Sequence, residues 1–273
     1  MNVSAVLSIC LGLALAFVCP PCPAQSEADG VVRILLIGDS TTEGSVPRRL
    51  KPEGPHLEAV LEQLLAAEAE LPVCQVINSS QGGEFIRRLI DSGRYARDVA
   101  DLPNLDFIFI RYGINDRAKR EEFSKNFPQD FHELLALLRK DHPQAMLIPM
   151  TVIPFSDKLR SQEINALIGE VAREEELQLF DIYPRYEAEL LKGPHMLNYR
   201  RYPLEKIPAQ YHQLVAPFVH GPSVEIMGNE LDAILGDLPG WFGDRHPNLA
   251  GYNVIADETA DYLTRLLRQP QAD

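Results

Sequence analysis

Five short apolar runs, separated by stretches in which apolar residues recur every three or four positions, set the expected architecture of this chain. The runs fall near 33–38, 73–77, 105–111, 145–151 and 177–182. Short, continuously apolar runs bounded by turn residues are the pattern of strands buried on both faces of a sheet. Between them, Leu57, Leu61, Leu64 and Leu65 form one helical stripe, and Phe127, Phe131, Leu134, Leu135 and Leu138 a second. Ile164, Leu167, Ile168 and Val171 form a third, and Tyr252, Ala256, Leu263 and Leu266, after Pro247, a fourth. Such stripes are core faces of amphipathic helices. Strand and helix patterns in alternation predict an α/β fold with a parallel sheet covered by helices.

The alternation breaks once, between Tyr183 and Phe242. This segment holds seven prolines and many aromatics, among them Tyr186, Tyr199, Tyr202, Tyr211, Phe218 and Trp241, with His195, His212 and His220. A long stretch without periodicity in a compact domain is usually functional or disordered, and aromatic content argues against disorder. It leads into the last conspicuous motif, so a cap over a site is expected, the alternative being a packed excursion away from it. Trp241, five residues before His246, is either a platform beside the site or a core residue. The expected fold is a three-layer α/β/α sandwich on a flavodoxin-like, five-stranded parallel sheet, with an irregular insertion at 183–242. No repeat or low-complexity tract separates domains, so 25–273 reads as one domain.

The chemistry lies where the apolar runs stop. The first ends in Gly38-Asp39-Ser40 and the second in Asn78-Ser79-Ser80-Gln81-Gly82-Gly83. The third ends in Gly113-Ile114-Asn115-Asp116, and Gly243-Asp244-Arg245-His246-Pro247 follows near the C-terminus. In open α/β sheets ligands bind at the carboxyl ends of the strands, where these motifs fall. A serine hydroxyl becomes a useful nucleophile only when an adjacent base takes its proton. Acyl transfer also needs fixed donors aimed at the developing oxyanion. A glycine lets its backbone N–H approach a substrate closely, and the Asn115 amide is a donor that titration cannot remove.

Together these four blocks resemble the SGNH/GDSL hydrolases, named for a Ser, Gly, Asn and His in that order, and the resemblance covers about residues 33 to 267. It implies Ser40 as nucleophile, His246 as base, and an oxyanion hole from the Ser40 N–H, Gly83 and Asn115. The last block departs from the family's Asp-x-x-His. Gly243 stands where the Asp belongs, and the acid is Asp244, two residues before His246. Asp244 is the expected orienting acid, another carboxylate such as Asp237 and a Ser–His dyad being the alternatives. Each residue also has a structural reading. Ser40 is a possible helix cap, Asn115 a possible Asx-turn, Gly82 a rival to Gly83, and His246 a possible helix start before Pro247. Asp39 and Asp116 read as structural, and His56, His132 and His142, on polar helical stretches, as solvated.

Composition changes the picture in three ways. Met1–Ala24 carries no charged side chain and has an apolar run from Val6 to Val18, so an exported chain cleaved after Ala24 is expected. Cys10, Cys19 and Cys22 fall in that segment, leaving Cys74 in a strand, where a thiol acts as a small hydrophobe. One cysteine builds neither a disulfide nor a cysteine metal site, and no metal or cofactor is expected. The net charge of −13 argues against nucleic acid and against anionic membranes or heavily acidic polymers as partners.

The leading expectation is an exported serine esterase acting on small acyl esters, most of all acetyl groups on carbohydrate. A lipase-type acyl hydrolase is the enzymatic alternative, and a non-catalytic carbohydrate-binding protein the alternative that the displaced Asp would permit. A nucleotide-binding reading lacks a Gly-x-Gly-x-x-Gly or Walker pattern at the first strand's exit. The α/β-hydrolase elbow is missing as well, since Thr42 stands where its second Gly belongs.

Overall fold

The computed structural model describes residues 29–155, 158–193 and 197–269. The expected signal segment 1–24 and His195 lie outside them. The first four apolar runs form a parallel sheet: β1 (Val31–Gly38), β2 (Val73–Asn78), β3 (Phe107–Arg111) and β4 (Met146–Pro149), in the order β2-β1-β3-β4. Because side chains alternate across a strand, β1 and β3 feed two cores. Ile34, Leu36, Phe107 and Phe109 pack with Leu57, Leu61 and Leu65 of the helix Leu57–Ala67 and with the helix Leu249–Leu267. Leu35, Ile37, Ile108 and Ile110 pack with Phe127, Phe131, Leu134, Leu135 and Leu138 of the helix Phe123–Asp141. Ile164, Ile168 and Val171 of the helix Lys158–Glu174 complete that second layer. The result is the expected three-layer α/β/α sandwich.

The fifth strand is reduced to a single parallel bridge, Met150 with Phe180. Phe180 donates to Pro149 O at 2.9 Å and Thr151 to Phe180 O at 3.1 Å. There the pairing stops, because the Asp181 carboxylate accepts from Thr151 Oγ1 at 2.8 Å and from Tyr183 N at 3.3 Å. These bonds turn the chain into the helix Tyr183–Leu191.

The described part of the insertion carries short helices, turns and a small sheet of its own. After that helix, β5 (Arg200–Pro203), β6 (Val219–His220) and β7 (Ser223–Ile226) form an antiparallel sheet in the order β5-β7-β6. Tyr202, Val215, Val224, Ile226, Leu235 and Trp241 give it a core of its own. Trp241 is 0% exposed, and its Nε1 donates to Asp232 Oδ1 at 2.8 Å. It holds this subcore together and cannot stack on a ligand, so the platform expectation is corrected. His142 is corrected too. It is buried at the end of its helix with Nε2 3.0 Å from Val99 O, and burial pulls its pKa below the ordinary value.

Candidate active site

A flavodoxin-like sheet has its crevice outside the carboxyl ends of β1 and β3, where the strand order reverses. Ser40 follows β1 and Asn115 follows β3, so the topology alone puts both at that crevice. The turn that carries Ser40 is tightly determined. A Cβ on Gly38 would lie 2.3 Å from Thr42 Oγ1 and 2.6 Å from Arg111 O, so only glycine fits at the strand's end. Asp39 caps the following turn, its Oδ1 accepting from Thr41 N at 2.9 Å and Thr41 Oγ1 at 2.7 Å. Buried Arg111 clamps the turn from β3, with Nε donating to Thr42 Oγ1 at 3.0 Å and Nη2 to Thr41 O. Tyr252, from the C-terminal helix, donates to Ser40 O at 3.0 Å.

Ser40 Oγ lies 3.0 Å from His246 Nε2, and Asp244 Oδ1 lies 2.7 Å from His246 Nδ1. The shortened Asp-x-His spacing works because Asp244 Oδ1 also accepts from the His246 backbone N–H at 2.9 Å. This Asx-type turn folds the carboxylate back onto the ring two residues ahead. Asp244 Oδ2 is held by Arg201 Nη2 of β5 at 2.9 Å. Burial would raise the Asp244 carboxyl, but the hydrogen bonds and charge of His246, with the charge of Arg201, outweigh it and hold it below the ordinary value. Asp237, the alternative acid, is exposed and makes no hydrogen bond to His246.

The insertion carries the histidine loop. Asn198 and Pro247 form an antiparallel bridge, Tyr199 N donates to His246 O at 2.9 Å, and Asn248 N donates to Leu197 O at 2.9 Å. Asn248 in turn caps the C-terminal helix, its side chain accepting from Gly251 N at 2.9 Å. The insertion therefore borders the site as a support for the loop.

The oxyanion candidates are placed by a buried polar frame. Asp116 Oδ1 accepts from Ile86 N and its Oδ2 from Gly113 N, both at 3.0 Å, tying the Gly83 turn to the Asn115 turn. Burial pushes the Asp116 carboxyl up to about 7. Glu84, next to Gly83, pairs with Arg94 and accepts from Tyr112 OH at 2.7 Å, all three buried. Gly82 and Gly83 are told apart by what their amides already do. The Gly82 N–H is bonded to the Glu43 carboxylate, whereas the Gly83 N–H has no acceptor among the described residues. Gly83 has φ +73°, which favours glycine, and Lys119 Nζ holds its carbonyl at 2.5 Å. The Ser40 N–H and the half-buried Asn115 amide likewise have no acceptor among the described residues, so Asn115 forms no Asx-turn.

A cleft of about 430 Å³ opens beside His246, lined by Phe155, Arg201, Asp244 and Arg245 with Gly240 and Gly243. Phe155, just past β4, sets its ring edge to face against the His246 ring, centroids 4.9 Å apart at 89°. Arg111, Phe155 and Arg201 were not legible as site residues. Only the position of Phe155 beyond a strand's carboxyl end signals it, while Arg201 reaches Asp244 from a sheet that the sequence does not announce. Among the described residues no group of three His, Cys, Asp or Glu side chains could hold a metal ion.

The chain belongs to the GDSL-like lipase/acylhydrolase family, whose model matches residues 36–254. No curated protein matches it. Among solved structures it is similar to an α/β hydrolase from the metagenome of Lake Arreo, with 21% identity over 86% of this chain and 96% of that one, TM-score 0.55. An acetylxylan esterase from Geobacillus stearothermophilus shares 18% identity over 89% and 96%, TM-score 0.54. A lipase/acylhydrolase from Enterococcus faecalis shares 17% over 88% and 100%, TM-score 0.52. At these identities the likeness establishes the fold alone.

Proposed function

We propose that this protein is an exported serine esterase that removes small acyl groups, chiefly acetyl, from carbohydrate. One observation carries the reading: Ser40, His246 and Asp244 form a continuous hydrogen-bonded line, and the Ser40 and Gly83 N–H groups and the Asn115 amide have no acceptor among the described residues. His246 Nε2 takes the proton of Ser40 Oγ as the oxygen attacks the acyl carbon. The carbonyl oxygen becomes an oxyanion held by the Ser40 and Gly83 N–H groups and the Asn115 amide. The intermediate collapses, the C–O bond to the alcohol breaks, and His246 gives its proton to the departing oxygen. Water then repeats the sequence on the acyl-enzyme, with His246 as base, and releases the acid. Asp244 holds the Nδ1–H tautomer and stabilises the imidazolium.

The hydrogen-bonding groups of Arg201, Arg245 and His246 beside the face of Phe155 suit a sugar as the alcohol portion of the ester. The acetylxylan esterase among the structural neighbours points the same way. The uncharged, apolar N-terminal segment supports export, and no described helix is long and apolar enough to cross a membrane. The test is a panel of acetyl, butyryl and long-chain nitrophenyl esters with Ser40→Ala as control. The reading expects turnover to fall with chain length and to vanish in the variant. A preference for long chains would favour the lipase alternative.

A further inference from the structure

The charge of the cleft beside His246 runs against that of the chain. The protein carries a net charge of −13, yet this cleft has two arginines against one carboxylate. That carboxylate, Asp244, is already engaged by His246 and by Arg201 Nη2. Arg201 is 52% exposed, and among the described residues the rest of its donor fork has no partner. Arg245 is half-buried at the cleft wall and, among the described residues, forms no hydrogen bond, ion pair or ring contact. A guanidinium cannot shed its charge, and its planar fork matches a carboxylate with two parallel hydrogen bonds. Partial burial without a partner makes it a binding group in waiting.

Its place fixes which part of the substrate it meets. His246 delivers its proton to the departing alcohol, so a cleft on the histidine side of Ser40 receives the alcohol portion of the ester. After Asp244 and Arg201 cancel, one positive charge remains, which matches a monoanion. We propose that Arg245, flanked by Arg201, binds a carboxylate on the alcohol portion, so that the substrate is an acyl ester of an acidic sugar. This inference rests on the esterase reading above.

The test compares a methyl glucuronoside with a methyl glucoside, each acetylated at the same ring hydroxyl, which differ only at C6, a carboxylate against a hydroxymethyl group. The wild type should favour the acidic ester in kcat/KM by on the order of ten- to a hundredfold, the range for one charge-assisted hydrogen bond. Arg245→Met should erase that ratio through KM, and Arg245→Lys should restore part of it, keeping the charge without the fork. Added salt should shrink the preference. No preference in the wild type, or Arg245→Met lowering both esters alike, would overturn the proposal. So would a stronger preference for a sulfated than for a carboxylated glucoside. If neither ester is cleaved, the esterase reading fails while a separate readout decides on Arg245. In that readout, Ser40→Ala protein titrated with the deacetylated glucuronoside should bind it more tightly than the glucoside, and equal binding would refute the carboxylate site.

Discussion

Replacing Asp244 by Asn tests how the short Asp-x-His spacing functions. Asp244 Oδ1 serves two donors, the His246 backbone at 2.9 Å and Nδ1 at 2.7 Å, while Oδ2 faces Arg201 at 2.9 Å. An asparagine can keep its oxygen on His246 only by turning its NH2 group toward the Arg201 guanidinium, donor against donor. The reverse orientation points NH2 at Nδ1, which then must lose its proton and leave the wrong nitrogen protonated toward Ser40. Arg201 is half exposed and can swing away, so the first orientation is accessible at modest cost; what is lost for certain is the negative charge facing the imidazolium. An equivalent loss in a serine protease triad costs about ten-thousand-fold in turnover, or about 5.5 kcal/mol of transition-state stabilisation. With the tautomer partly preserved, kcat for nitrophenyl acetate should fall by about a hundredfold to ten-thousandfold. KM should change little, because the lost interaction belongs to the transition state. Arg201→Met should lower kcat for nitrophenyl acetate by a smaller factor, since towards this neutral ester its part is to position Asp244. A drop of less than about tenfold in Asp244→Asn, with the fold intact by melting temperature, would refute the orienting role and leave a Ser–His dyad.

Other parts of the site have their own tests. Asn115→Ala should cost about a hundred- to a thousandfold in kcat, the usual loss of one oxyanion donor, with KM nearly constant; an unchanged kcat would remove Asn115 from the oxyanion hole. Arg94→Met leaves the buried Glu84 carboxylate without its cation, and breaking such a pair costs about 3–5 kcal/mol, read by urea denaturation; a loss under about 1 kcal/mol would show that Glu84 does not depend on it. For Asp116, whose folded pKa is raised to about 7 from 3.8, the folded chain keeps a proton that the unfolded chain has released between those values. Stability from this group therefore falls as pH rises across that window. The difference in unfolding free energy between wild type and Asp116→Asn should shift against the wild type from pH 4 to 7, and a pH-independent difference would contradict the raised value.

Much of this arrangement is legible in the sequence, for identifiable reasons. β1 and β3 are buried on both faces, so Ile34–Ile37 and Phe107–Ile110 read as unbroken apolar runs. The fifth run has the same composition but is cut short by the Asp181 side chain, a local competition that hydrophobicity does not register. Trp241 and a sugar platform share one sequence signature, an aromatic in a proline-rich stretch, and only the subcore around Tyr202 and Val224 separates them. His142 looks solvated from its polar neighbours, yet it closes its helix against the Val99 carbonyl. The choice of Gly83 over Gly82 depends on the Glu43 carboxylate, which lies outside all four motifs. Arg201 is invisible because its partner, Asp244, is distant in the chain and meets it through the antiparallel sheet.

The central claim is that Ser40 is acylated. Wild-type protein mixed with excess nitrophenyl acetate and quenched in acid within the first turnovers should show, by peptide mass spectrometry, one acetyl group on the peptide containing Ser40. Ser40→Ala should show no acetyl group and no release of nitrophenol above the uncatalysed rate. Hydrolysis that persists in Ser40→Ala, or an acetyl group on another residue that persists there, would contradict the account.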